Sequence, residues 1–457
     1  MSNQNSEGRV RASQAKQLVL IFFFALAVRL LFVAFRQWVP DDAIGYDTLA
    51  RNLLAGNGFS LKGRPPYELT LFRTPVYPYF LSALYSVFGF HDLVVYVSQA
   101  LLGAATCCLM YFVARRYLTQ RAALLTAGLN AIYPLTSHFV AAKLTETLYT
   151  FLMCSAIFLI IYAYQKRSWP WMSAAGIVLG VASLCRPEAL LFPFFLSGLF
   201  LLLHRFRKSC WKMSAALIFC AVLVTTPWLV RNYQVRGKLT GLVGFGPGLI
   251  FWQNTIPYFD WYTFKYAPGS EQYDPMVREL TQPEMTEVKL ADLDPQLWRV
   301  GLQNIRRDPK GYIMRRLKQY PHLWISGGDY LLGGSNRSYA EALAERRYLL
   351  IATKMILLAV FGLLPLTLAL IGLFANRGRL VELLPLLAFP LYVTLSRLPF
   401  DAAPRNTMPA HPYMLLFAVL GAIYLWRLFA RRRQRADTGD GVIKNGQEYR
   451  LANRYGF

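Results

Sequence analysis

The chain has 457 residues, of which 55% are hydrophobic and only 16% charged, with a formal net charge of +24. So apolar a mixture excludes an ordinary soluble domain of this length. The basic residues flank apolar stretches rather than covering one polar surface, which argues against nucleic acid as a partner.

Ten apolar stretches long enough to span a bilayer read at about 17–39, 92–113, 122–140, 146–164, 171–185, 188–203, 213–230, 348–375, 380–396 and 412–429. The segment 171–206 reads either as a re-entrant pair or as two short spans broken at Arg186-Pro187. Basic clusters occupy every second gap: Arg9, Arg11 and Lys16; Arg115, Arg116 and Arg121; Lys166 and Arg167; Arg205, Arg207, Lys208 and Lys212; Arg377 and Arg379; and Arg431, Arg432, Arg433 and Arg435. By the positive-inside rule that face is cytoplasmic, and both termini with it. The first span is too long for a signal peptide and lacks a small-residue cleavage site, so it reads as retained. Outer segments remain at about 40–91, 231–347 and 397–411. The expected division is a membrane module over 1–230 with the first outer loop as its catalytic part, an extracytoplasmic segment over 231–347, further membrane helices over 348–430, and a disordered tail over 431–457. Trp252, Tyr258, Trp261, Tyr262 and Tyr266 are expected at the lipid interface. The six cysteines all lie in or beside spans and form neither a zinc pattern nor a disulfide framework.

Immediately after span one come Asp41 and Asp42. Ile44, Leu49 and Leu53 fit one face of a short helix, and Gly56 and Gly58 end it. That helix is expected on the membrane surface, followed by a proline turn back to the bilayer. A carboxylate at the membrane boundary is partly desolvated, which raises its pKa and improves it as a base. An Asp before residues 43–55 also suits an N-cap. The residues alone leave both roles open.

The segment PDDAIGYDTLARNLLAGNGF at 40–59, followed by RTPVYPYFLSALYSVFG at 73–89, resembles the first periplasmic loop of bacterial GT-C glycosyltransferases of the family 39, protein-mannosyltransferase-like type, which include the aminoarabinose transferase of lipid A. NAIYPLTSHFVAAKLTE at 130–146, LCRPE at 184–188, TPWLVRN at 226–232 and APRNTMPAHP at 403–412 resemble later elements in the same order. The likeness is poor over 240–375.

The resemblance implies an all-α polytopic GT-C fold of about ten transmembrane helices with juxtamembrane helices in the first outer loop. It implies an inverting transfer of sugar from a polyprenyl-phosphate donor to a glycan, lipid or protein acceptor, at the outer face of a bacterial inner membrane. A first-loop Asp is the base. The family spacing to a Tyr selects Asp42, paired with Tyr46, and Asp41 is the neighbouring alternative. Arg73 takes the position of the cation for the donor phosphate. Arg231 and Arg405 are further phosphate candidates, or interfacial snorkelling residues. Arg186 and Glu188 at the intramembrane break either serve the substrate or pair with each other. Glu146 either orients a reactant or pairs with Lys143 at the start of a helix. His138 and His411 read as structural. No metal cofactor is required. Asp41, Asp42 and Asp47 are half of what a divalent-cation site would need. The rival readings are a ligase or oligosaccharyltransferase moving a preassembled glycan, and a transporter, for which no paired inverted repeat is visible.

Overall fold

A computed structural model describes residues 2–35, 39–203, 207–244, 246–260, 265–282, 287–325 and 339–437. In chain order, α1 (Ser2–Ala34) is followed by α2 (Asp41–Leu54) and α3 (Val76–Phe88) in the first outer loop. Then come α4 (Asp92–Arg115), α5 (Gln120–Ile132), the short α6 (Pro134–His138), α7 (Glu146–Lys166), α8 (Trp169–Cys185), α9 (Phe192–Leu203) and α10 (Lys208–Arg236). The large outer segment holds α11 (Pro247–Gln253), the strands β1 (Phe259–Asp260) and β2 (Lys265–Tyr266), α12 (Ser270–Tyr273), α13 (Pro275–Leu280), α14 (Glu287–Arg307), α15 (Pro309–Gln319), α16 (His322–Ile325) and α17 (Tyr339–Ala344). The chain then returns through α18 (Tyr348–Leu357), α19 (Leu364–Ala375), α20 (Leu380–Ser396) and α21 (His411–Asp437). The strands pair antiparallel, Phe259 opposite Tyr266.

Among the described residues seven helices are long and apolar enough to cross a membrane: Gln14–Ala34, Asp92–Arg115, Glu146–Lys166, Lys208–Arg236, Tyr348–Ala375, Arg377–Ser396 and Met408–Arg433. They coincide with seven of the ten expected spans. The pair expected at 171–185 and 188–203 forms the shorter apolar helices Trp169–Cys185 and Pro187–Leu203, parted at Arg186-Pro187. The span expected over 122–140 is not one helix. α5 stops at Ile132, because Pro134 has no N–H to continue the ladder and pushes Tyr133 into an extended conformation (ψ 118°).

The freed carbonyls at the end of α5 have an unusual partner. Arg29, inside α1, is buried, and its guanidinium donates to the carbonyls of Asn130 (3.4 Å), Ala131 (3.3 Å) and Ala25 (3.0 Å) and to Cys107 Sγ (3.3 Å). Gly103 of α4 permits this, since a Cβ there would collide with the Arg29 side chain.

Helix ends fall into two groups. The starts of α2, α7 and α21 and the ends of α8 and α20 meet through ion pairs at one end of the bundle. At the opposite end the α4–α5 turn, the α19–α20 turn and the far half of α21 surround a cavity of about 230 Å³ lined by Tyr117, Thr119, Asn376, Arg379 and Arg427. The basic clusters at 115–121 and 377–379 therefore share the end away from the carboxylates.

The main core runs through α2–α4, α7–α9, α20 and α21. The outer segment has its own small core of Trp252, Ile256, Phe259, Met276, Val277 and Leu297. Trp252 is fully buried there, with Tyr258 and Tyr266 packed against it, so these aromatics hold the segment together rather than facing lipid. Trp261 and Tyr262 and the tail beyond 437 lie outside the described residues. All six cysteines are free thiols.

Candidate active site

The helix that carries the candidate base starts too early for either aspartate to cap it. Pro40 is the N-cap of α2, and no side chain caps it. Asp41 and Asp42 are its first two residues and favour the positive end of the helix dipole. The buried face of α2 is Ala43, Tyr46, Leu49, Ala50 and Asn52. Ile44, expected on that face, is 65% exposed. Gly56 and Gly58, at φ 78° and 79°, turn the chain out of the helix in the left-handed region where glycine is favoured.

The return segment is pinned from two sides. The Arg231 guanidinium donates to the Thr70 carbonyl (2.8 Å), and the Gly244 N–H donates to the Leu71 carbonyl (2.7 Å). The Thr74 hydroxyl donates to the Cys185 carbonyl (2.8 Å) at the end of α8. Arg73, held between these anchors, reaches back to α2. Its Nη2 lies 2.6 Å from Asp42 Oδ1, and its guanidinium covers the rings of Tyr46 (4.8 Å) and Phe72 (4.2 Å). Its buried Nε finds no hydrogen-bond partner. From the last outer loop Arg405 Nη1 lies 3.3 Å from Asp42 Oδ2.

Asp42 is thus shared by two arginines that come from opposite ends of the sequence. Burial raises its pKa, but attraction to Arg73 and Arg405 outweighs burial and holds the carboxyl below its ordinary value. This reverses the expectation of a raised pKa. Tyr46, one turn further along, is buried edge-on against Tyr77, and burial pushes its hydroxyl up to about 12.

A second string of charges adjoins the first. Glu146, buried at the start of α7, pairs with Arg186 Nη1 (2.9 Å) rather than with Lys143. Arg186 also grips Glu188, from Nη2 to Oε1 (3.2 Å) and from Nε to Oε2 (3.3 Å). Glu188 pairs with Arg397 (2.6 Å), Arg397 with Asp401 (3.1 Å), and Asp401 accepts from Asn406 (2.8 Å). Arg186 and Glu188 do pair with each other, as one expectation held, but as the middle of a longer alternation. Arg405 feels Glu146 and Asp401 as well as Asp42. Burial lowers its pKa, these carboxylates raise it, and the net shift is upward.

Arg397 and Asp401 were not among the sequence candidates. Arg397 carries the same signal that singled out Arg231, an arginine directly after a span. Arg231 itself stands apart from Asp42, supporting the loop at Thr70, with its guanidinium over Trp228 (4.7 Å). Asp41 is exposed. His411 is buried, stacked on Tyr133 (5.3 Å), with Nδ1 3.0 Å from the Thr407 carbonyl. His138 ends α6.

Asp47 belongs to another cluster. It accepts from Lys143 (2.7 Å), Tyr85 (2.5 Å) and Arg51 (2.6 Å), and Lys143 also pairs with Asp92 (2.9 Å). Asp42 and Asp47 are thus held by separate sets of cations. Among the described residues no group of three His, Cys, Asp or Glu side chains is placed to hold a metal.

The dolichyl-phosphate-mannose-protein mannosyltransferase family model matches residues 72–230, from the Arg73 turn through the break at Pro187 to α10. Over those residues the chain is similar to that family, and its described helices form an all-α polytopic membrane architecture. In fold the chain is similar to the Archaeoglobus fulgidus oligosaccharyltransferase. The apo form of that enzyme superimposes with a TM-score of 0.52 at 13% identity, covering 94% of this chain and 53% of the other. The same archaeal protein, AglB, in complex with an inhibitory peptide and a dolichol-phosphate, superimposes at 0.52 and 13%, covering 97% and 54%. ArnT from Cupriavidus metallidurans bound to undecaprenyl phosphate gives 0.42 at 15%, covering 88% and 76%. The chain therefore spans about half the length of the oligosaccharyltransferase it matches. No curated protein matches by sequence.

Proposed function

We propose that the protein is a membrane glycosyltransferase that moves a sugar from a polyprenyl-phosphate donor to an acceptor hydroxyl, with inversion. The observation that carries this reading is Asp42 between Arg73 and Arg405 at one end of an apolar bundle. It supplies one carboxylate base and two cations of the kind that bind phosphate. The complex of AglB with a dolichol-phosphate supports a polyprenyl phosphate as partner for this fold.

In the proposed step Asp42 takes the acceptor proton while the acceptor oxygen attacks the anomeric carbon opposite the phosphate. The bond from that carbon to the phosphate oxygen breaks. Its electron pair stays on the oxygen, and polyprenyl phosphate departs facing Arg73 and Arg405. The resting ion pairs set the order of events. While both arginines hold Asp42, its proton affinity is low. A donor phosphate competes for the same N–H groups. As they turn to it, Asp42 loses its partners and becomes a better base. Glu146, Arg186 and Glu188 keep the neighbouring wall rigid and place Tyr46 and Arg405, and Arg231 holds the Arg73 segment in place.

The test is transfer by the full chain in nanodiscs, following release of polyprenyl phosphate from a polyprenyl-phosphate sugar. No release with any acceptor fraction would defeat the reading. Transfer of a preassembled glycan is the second reading, favoured by the superposition on the archaeal oligosaccharyltransferase. Turnover of oligosaccharide donors but not monosaccharide ones would select it. The proposed setting is a bacterial inner membrane with this site outside and both termini inside. Gly63→Cys, at an exposed position with open space around it, should then react with an impermeant maleimide in intact cells and Arg377→Cys should not. Labelling of Arg377→Cys would reverse the topology.

A further inference from the structure

Helix α15 has two faces that differ in what they touch. The inward face carries Arg316, which is buried and uses all its donor nitrogens. Nε donates to the Leu398 carbonyl (2.9 Å), Nη1 to Asn254 Oδ1 (2.5 Å) and Gln319 Oε1 (2.6 Å), and Nη2 to the carbonyls of Arg397 (3.1 Å) and Phe400. The carbonyls of Arg397, Leu398 and Phe400 follow directly on the end of α20, a membrane-spanning helix, and Arg316 supplies their donors. Just beyond α15, the Tyr320 hydroxyl donates to the Thr394 carbonyl and Trp324 Nε1 to Thr394 Oγ1 (3.1 Å), both in the last turn of α20. These bonds fix α15 at the height where α20 leaves the bilayer.

Among the described residues the outward face is largely uncovered. Ile313 is 55% exposed, Met314 54% and Leu317 63%. Their spacing puts them on one stripe, with exposed Lys310 and Lys318 beside it. Residues 306–318 hold six Lys or Arg (Arg306, Arg307, Lys310, Arg315, Arg316, Lys318) against one acid, Asp308. Three large apolar side chains, a basic surround and a position fixed at the end of a spanning helix are the features of a helix that lies in a lipid interface.

We propose that α15 is a lipid-surface helix that seats Ile313, Met314 and Leu317 among acyl chains and binds anionic headgroups through Lys310 and Lys318. This does not depend on the transfer reaction. It also gives Arg316 a second meaning, because the same helix holds the loop that delivers Arg397 and Arg405.

The test uses the full chain in nanodiscs with an environment-sensitive fluorophore on Leu317→Cys, the labelled wild type being subtracted. In phosphatidylcholine with about one third phosphatidylglycerol, the emission should shift to the blue and be quenched by lipids carrying a spin label near the headgroup. Lys310→Glu/Lys318→Glu should weaken that quenching, as should removing phosphatidylglycerol. Quenching by aqueous iodide with no response to lipid would overturn the proposal. So would lipid quenching that ignores both phosphatidylglycerol and the lysine changes, or protection that grows with protein concentration, which would assign the face to a second copy.

Discussion

Two carboxylates on one helix, Asp42 and Asp47, are both tied to cations, yet they sit in different kinds of place. Asp47 is held by three donors, from Arg51 on its own helix, Tyr85 on α3 and Lys143 just before α7. Burial raises its pKa, the three hydrogen bonds lower it further, and the net shift is downward. Asp42 has two partners, both arginines from loops, with 33% of its side chain exposed. The pKa moves the same way at both. What separates them is whether a substrate could take the partners away. A phosphate can displace carboxylate from Arg73 and Arg405 at an open mouth. Nothing comparable competes for Lys143, whose side chain is only 10% exposed. A low resting pKa therefore does not argue against a catalytic carboxylate when its cations are the ones the substrate needs.

The largest contrast is expected from parallel Asn substitutions. Asp42→Asn should lower transfer by a factor of roughly 10²–10⁴, the range of a positioned base. It should leave polyprenyl phosphate binding intact or tighter, because Arg73 and Arg405 are released. Asp47→Asn should leave turnover within about tenfold. Turnover rates that fell alike, or an Asp42→Asn enzyme at wild-type rate, would erase the distinction, and Asp41→Asn would then be the variant to measure.

Arg73→Ala should reduce kcat/KM for the donor by roughly 10²-fold, as when one donor to a developing oxyanion is removed. Affinity for the acceptor should hardly change. Arg73→Lys should restore part of the loss, since a point charge holds phosphate without the guanidinium fork. An unchanged donor kcat and KM in Arg73→Ala, with activity abolished in Arg231→Ala or Arg405→Ala, would move the phosphate site to the later loops.

Lys143→Met removes the cation shared by Asp47 and Asp92. It should cost about 1–3 kcal/mol of stability, read as a lower melting temperature, with donor KM preserved. A changed donor KM at unchanged melting temperature would place Lys143 in the substrate site.

The smallest effect is on pH. Because Asp42 sits below its ordinary value in the resting protein, the acid limb of kcat/KM, which reports the free enzyme, should lie below that of an unpaired Asp. Arg405→Ala removes one of the cations that lower it, so the limb should move to higher pH. A downward move would show that the limb belongs to another group.

Much of the fold was legible because spanning helices are written as uninterrupted apolar runs, and because Pro187 marks a break by a local rule; the same rule acts at Pro134, where the span expected over 122–140 ran through it. The site was legible only in part. Asp42, Tyr46 and Arg73 lie in one loop whose motif survives as a string. The partner of Glu146 and the second partner of Glu188 do not. Lys143 stands three residues from Glu146 but pairs with Asp47, 96 residues away, and Arg397 meets Glu188 across 209 residues. Spacing along the chain carries no signal for such pairs, since the packing of whole helices selects them. The reading of Asp41 and Asp42 as caps failed for a local reason. Pro40, fixed in φ, already serves as the residue before the first turn.

The break at Pro134 has a consequence in depth. α5 has 13 residues, which extend about 20 Å, short of a hydrocarbon core of about 30 Å. Its outer end stops below the headgroup plane. The polar backbone exposed there is met by protein, with Arg29 on the carbonyls of Asn130 and Ala131 and His411 against Tyr133. The segment that continues through α6 to Glu146 therefore runs along the floor of a well rather than over a rim. A reactive centre with such a floor favours a head group on a long, flexible tail, which can sink to it, over a rigid molecule resting on the surface.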